Sequence, residues 1–191
     1  MMNSSNIGKI ITLDIDNKKH PVLLVNNKDD NYSVFYLSSY KNNNSILSNI
    51  INYKLTVGLN TKYNINNTIN NYVRCDKVFE ITNGDYSLFG YLSPNTKSTL
   101  KDLISTHYFI YTFLKNNNII TENNLSEELK TIFYSDRDMY NNKRYKYLIN
   151  LLLDRNNFIS FIKEVNKEYK VSLDVDSTYY QYLQFVKEAY A

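Results

Sequence analysis

Tryptophan is absent from this 191-residue chain, cysteine occurs once, histidine and proline twice each, and glycine four times. Each scarcity removes a class of protein. A lone Cys75 cannot close an internal disulfide and suits a reducing compartment. One cysteine with His20 and His107 offers no zinc-ligand spacing, and four glycines form no Gly-rich phosphate loop. No stretch approaches the ~20 apolar residues that span a bilayer. Met1 to Asn6 is polar where a secretory signal carries its apolar region, so the expected address is the cytoplasm, with no membrane, metal or cofactor. Strong charge is missing too: the formal net charge of +3 is short of the dense charge of a nucleic-acid coating protein, and any nucleic-acid site must be local.

What is present is Asn, Lys, Ile and Tyr, with runs such as Asn42-Asn43-Asn44 and Asn116-Asn117-Asn118. All four residue types have AT-rich codons, so the bias reads as genomic. Nineteen Tyr and nine Phe serve mainly as core residues, although each ring can also stack on a base. A hydrophobic share of 43% is enough to build a core.

The first half reads as β. Ile10 to Ile15 alternates loosely, Pro21 to Val25 is a solid apolar run, and Ser33 to Leu37 is rich in aromatic and branched residues. Asp16-Asn17-Lys18 and Asn26 to Asn31 supply the turns of a meander or of two hairpins. Ser45 to Ile51 is a short helix candidate, Tyr53 to Leu59 a strand and Thr61 to Asn71 a polar loop. In Tyr72 to Ile81 one face carries Val73, Cys75, Phe79 and Ile81 and the other Arg74, Asp76 and Glu80, as a half-buried strand requires. Asn83-Gly84 then turns that strand into a hairpin with "DYSLFGYL".

Ser93-Pro94 marks a change of period, with Ser as N-cap. Leu100, Leu103, Ile104, His107, Ile110, Tyr111 and Leu114 recur at helical intervals, predicting a long helix from Pro94 to Lys115. Further helices are predicted over Asn124–Phe133, Arg144–Leu153, Phe158–Tyr169 and Ser177–Tyr190. Asn124 with Glu127 suggests a capping box. Two domains are expected: a β domain with its helix over 1–115, and a helical extension over 119–191 joined at the Asn116–Asn118 turn.

In order, "GKIITLDID", "HPVLLV", "SVFYLSS", "YVRCDKVFEI" and "GYLSPNTKSTLKDLI" resemble the MazF/PemK toxin family over residues 8–115. That family begins Gly-Asp-Ile-Val, then Arg-Pro-Val-Leu-Val-Ile, and continues Ser-Tyr-Val-x-x-Asp-Gln-Ile-x-x-Ile with Gly-x-Leu-Ser before a helix. Gly8, Pro21-Val22-Leu23, Tyr72-Val73, Asp76, Ile81 and Gly90-Tyr91-Leu92-Ser93 fit the series. The resemblance implies an α+β fold: a small, strongly twisted SH3-like β-barrel with a packing helix, here carrying a helical C-terminal extension. It also implies a dimeric toxin–antitoxin endoribonuclease that cleaves single-stranded RNA without metal, leaving a 2',3'-cyclic phosphate and a 5'-hydroxyl.

The family's catalytic Arg, directly before the Pro, falls on His20, and its catalytic Thr on Ser38, with Ser39 beside it. Arginine is always charged and grips phosphate through two donors, whereas an imidazole is mostly neutral at pH 7. Lys19 is therefore expected to supply the charge and His20 acid/base or oxyanion work. Lys18, Tyr40, Lys41 and Arg74 are the expected RNA-binding residues, Tyr40 as a stacking platform. Only "DNKK" joins the first two strands, where the family has a longer Gly-rich loop over its RNA groove.

Two rivals stand beside this reading. Toxins resembling ToxN and AbiQ add helices to a similar barrel at about this length, and their antitoxin is a folded RNA instead of a small protein. Alternatively, the barrel has lost catalysis with its Arg and serves as an RNA- or protein-binding module. Elsewhere, Cys75 and His107 fall on apolar series and read as core, while Arg137, Lys143, Arg144 and Lys146 read as a solvated helical face that is also able to meet phosphates.

Overall fold

In the computed structural model, residues 7–38, 44–59, 68–82, 84, 86–92, 96–134 and 138–191 are described, with 56–59, 68–71 and 96 described as backbone alone. Seven strands are present among them: β1 (Lys9–Ile15), β2 (Lys18–Lys28), β3 (Asn31–Ser38), β4 (Asn52–Leu59), β5 (Thr68–Arg74), β6 (Phe79–Thr82) and β7 (Ser87–Leu92). The helices are α1 (Ile46–Ile51), α2 (Thr96–Asn116), α3 (Asn124–Phe133), α4 (Asp138–Asn141), α5 (Lys143–Leu153), α6 (Arg155–Tyr169) and α7 (Val175–Ala189). The α+β class expected from the sequence is observed. No helix among the described residues is long and apolar enough to cross a membrane.

The strands form one antiparallel sheet, β2-β1-β7-β4-β5-β3-β6, in which β2 also pairs with β3. Two-residue turns connect the first three strands. Asp16 and Asn17 (φ 51° and 61°) make one, and Asp29 and Asp30 (φ 47° and 61°) the other. Paired left-handed residues match the right-handed twist of the flanking strands, and Asp and Asn tolerate that region without glycine. Asn26–Lys28, expected in a turn, thus extends β2, past a bulge between Leu24 and Asn26.

Alternation sorts β1–β3 into two buried faces. Ile11, Leu13, Val22, Leu24, Tyr32 and Val34 form one cluster, against which Tyr36, Phe79, Ile81 and Tyr86 are partly buried. Ile10, Leu23, Val25 and Phe35 alternate with them and are fully buried on the other face. The apolar run after Pro21 is solid because both faces of β2 are covered.

The stretch 72–81 departs from expectation. It is two strands: β5 pairs with β3 at Leu37–Ser38, and β6 pairs with the same strand further back, at Asn31–Val34. The single face expected for Val73, Cys75, Phe79 and Ile81 is not kept: Val73 is opposite Leu37, whereas Phe79 and Ile81 are opposite Val34 and Tyr32 on the other face of β3, and Asp76, placed on the solvent face from sequence, sits buried in the connection. No β6–β7 ladder forms among the described residues. β7 pairs with β1 and β4, which overturns the hairpin expected at Asn83-Gly84. Thr68–Asn71, expected in a loop, belongs to β5. Ser93 and Pro94 lie outside the described residues.

The chain divides into two compact units: 1–41 with 52–103, and 42–51 with 104–191. The helical unit therefore starts inside α2 and takes in α1 from between β3 and β4, unlike the 1–115 and 119–191 division drawn from sequence. Asn118 (φ 57°) ends α2 as a left-handed cap, with Asn118 N–H donating to the Lys115 carbonyl and Ile119 N–H to the Leu114 carbonyl. The Asn run is a helix terminus. α3 is capped by Asn123, whose side chain accepts from the Leu125 and Ser126 amides, not by a box at Asn124. In this unit Glu164 of α6 accepts from the Ser45 hydroxyl (2.8 Å) and the Leu47 (2.7 Å) and Ile46 (3.3 Å) amides, tying down the start of α1.

Candidate nucleic-acid interface

The β2–β3 ladder ends with Val22 opposite Tyr36, and His20 and Ser38 stand two residues further along their strands. Opposed residues of an antiparallel pair share a face, and so do their next-but-one neighbours. His20 and Ser38 thus lie on one face at one end of the pair. Beyond Ser38 the row continues: Ser38 is opposite Tyr72 of β5, and Tyr72 is opposite Lys54 of β4. His20, Ser38 and Tyr72 are half-buried and Lys54 is exposed. Imidazole, hydroxyl, phenol and ammonium therefore follow one another across four strands.

Lys19 does not join them. It is opposite Asp14 and next to His20, so alternation turns it to the other side of the sheet. Lys18 shares the face of His20 but sits beside the Asp16-Asn17 turn, opposite Ile15. Ser39, Tyr40 and Lys41 lie outside the described residues.

Arg74 is two residues past Tyr72 and on the same face. Its Nε and Nη2 donate to the two Asp76 carboxylate oxygens at 2.8 and 3.0 Å. The Asp76 side chain is 1% exposed and that of Arg74 42% exposed. A buried carboxylate thus orients a half-exposed guanidinium. This places a planar, permanently charged group on the face where the resemblance finds an Arg replaced by His20.

Other groups named from sequence are accounted for by packing. Cys75 is fully buried. His107 is buried, with its Nε2 2.8 Å from the Ser126 hydroxyl and its ring stacked on Tyr111 at 6.1 Å. In the second basic patch Arg144 donates to the Thr106 hydroxyl (3.1 Å) and lies over the Tyr147 ring, while Lys143 and Lys146 are exposed. Arg137 lies outside the described residues.

Tyr72 and Lys54 were missed by sequence reasoning. The signal available was their alternation with buried Val73 and Leu55, which fixes a side of the strand but not the neighbouring strand. No protein-family model, curated protein or solved structure matches the chain. The MazF/PemK resemblance rests on the quoted fragments alone.

Proposed function

We propose that the β unit is a small, twisted barrel of MazF/PemK type and that the chain is a cytoplasmic, metal-independent endoribonuclease of a toxin–antitoxin pair. The barrel reading is supported by the pairings, which run from β1 through β2, β3, β5, β4 and β7 back to β1. The observation that carries the functional reading is the row His20, Ser38, Tyr72, Lys54, with Arg74 on the same face.

In the proposed reaction a ribose 2'-oxygen attacks the adjacent phosphorus. The P–O2' bond forms, the P–O5' bond breaks, and the 2'-proton leaves as another is delivered to O5'. His20 takes or delivers a proton. Arg74 and Lys54 stabilise charge on the phosphoryl oxygens, Ser38 hydrogen-bonds the phosphate, and the Tyr72 ring stacks on a base. The partners are single-stranded RNA, an antitoxin and a second copy of the chain.

The position of Lys19 across the sheet favours one rival, a binding module that holds RNA without cutting it. Labelled single-stranded RNA incubated with the purified protein in excess EDTA decides between them. Cleavage to cyclic-phosphate and 5'-hydroxyl ends is expected. Activity that vanishes with EDTA and returns with magnesium overturns the mechanism, and RNA binding without cleavage under any condition establishes the module.

A further inference from the structure

On the face that carries His20 and Ser38, but at the Lys9 end of β1, the sheet holds a cavity of about 240 Å³. Three aliphatic side chains, Ile11, Leu24 and Leu88, and two tyrosines, Tyr32 and Tyr86, line it. Register agrees with the cavity. Ile11 is opposite both Val22 and Leu88, and Lys9 adjoins this row from the same side of β1. The Tyr86 hydroxyl donates to the Thr82 carbonyl at 2.5 Å, which fixes its ring as a wall. Lys9 is the one charged residue among those that line the pocket, with Gly84 completing it.

We infer that this pocket receives one unpaired base of the RNA, with Lys9 meeting the neighbouring phosphate. The inference rests on the RNA reading of this face. The volume falls below the ~300 Å³ at which drug-sized ligands begin, and suits a single ring system. Aromatic walls favour a π-face, and an ammonium with three donors retains capacity for phosphate beside its other contacts. Leu24 is four residues from His20 on β2, about 13 Å at strand rise. A few nucleotides of single strand cover that span, so the strand cut at His20 can place a base here and be read by it.

The probes are the four nucleoside 3'-monophosphates, titrated calorimetrically into the full chain. At least one binds saturably to wild type. Leu88→Trp fills the pocket from a half-buried position and weakens that binding roughly 10-fold or more, the scale of one base–aromatic stack. Lys9→Gln leaves the apolar lining intact and lowers the salt slope of oligonucleotide binding by about 0.7, as loss of one phosphate contact requires. Absence of binding to wild type, or unchanged binding in Leu88→Trp with an unchanged slope in Lys9→Gln, overturns the inference. So does RNA cleavage whose base preference survives Leu88→Trp, which leaves the nuclease reading standing. Mononucleotide binding that Leu88→Trp abolishes in a protein unable to cut RNA supports the pocket and removes the nuclease instead. If Leu88→Trp changes only the sedimentation of the chain, the pocket holds a side chain from a second copy and the inference falls.

Discussion

Arg74 and Asp76 are bonded to each other, yet losing one is not equivalent to losing the other. Asp76→Ala leaves a guanidinium already half in water, which re-solvates, and is expected to cost about 1 kcal/mol, the scale of one lost hydrogen-bonding partner. Arg74→Ala leaves the carboxylate that is 1% exposed without its fork, and is expected to cost about 3 kcal/mol, as removal of one partner from a buried pair does. Urea denaturation of the two variants measures the difference, and equal costs refute the asymmetry. His20 is in the opposite position, half-buried, opposite Leu13 within the β1–β2 ladder and past the last β2–β3 pair, so His20→Ala is expected to leave stability within ~0.5 kcal/mol of wild type. In the proposed RNA cleavage the same change should slow the reaction roughly 100- to 1,000-fold. Lys19→Ala, across the sheet, should slow it little; if Lys19→Ala is the damaging change and His20→Ala is not, the face has been assigned to the wrong side. His20 and Ser38 were legible because a hairpin register can be counted along the chain. Lys19 falls on the other side of the sheet by the same local count, since neighbours in a strand point to opposite sides. Lys54 and Tyr72 were not legible because the β3–β5 and β5–β4 pairings are set by tertiary packing.

Two elements of the helical unit meet through Glu127. Its carboxylate accepts from the Lys115 ammonium (3.0 Å) and the Tyr108 hydroxyl (3.1 Å), joining the first turn of α3 to α2. Burial raises the Glu127 pKa, but the hydrogen bonds from Lys115 and Tyr108 outweigh it and hold the group below its ordinary value. Burial, with the charge of Glu127, pushes the Tyr108 phenol up, so it stays a donor. A carboxylate depressed in the folded state contributes stability above its unfolded pKa of about 4.3, and loses it as pH falls through the lower folded value. Thermal melts between about pH 5 and pH 2 should therefore show a shallower acid decline in Glu127→Gln than in wild type. The difference should be about 1 kcal/mol or less for a partly solvated pair, and parallel acid limbs refute it. Periodicity located α3 to the residue but began α6 and α7 late, at Phe158 and Ser177. It registers apolar positions, whereas these helices start at the caps Asp154 and Asp174, whose side chains accept from the Asn157 and Ser177 amides. The break between β5 and β6 was hidden because Val73, Cys75, Phe79 and Ile81 keep one alternation across it.

At the scale of the whole molecule, the helical unit cannot be removed as a tail. A cut after residue 118 deletes α3–α7 but leaves behind two of the unit's own segments, 42–51 and 104–118. In the first, α1 loses Glu164, the acceptor for its opening amides, and the α6 surface, so Leu47, Ile50 and Ile51 lose the unit that buries them. In the second, Phe109, Ile110, Tyr111, Phe113 and Leu114 of α2 are buried in the full chain, within a unit of which little remains after the cut. A large apolar side chain left in water forfeits roughly 1.5–3 kcal/mol. Several together match the 5–15 kcal/mol that holds a domain folded. Fragment 1–118 is therefore expected to be insoluble or to lack a cooperative melt, and limited proteolysis of the full chain should yield no stable product ending between 115 and 124. A soluble 1–118 fragment with a cooperative thermal transition would show that the β unit folds alone, and that α1 belongs to the helical unit in contacts but not in energy.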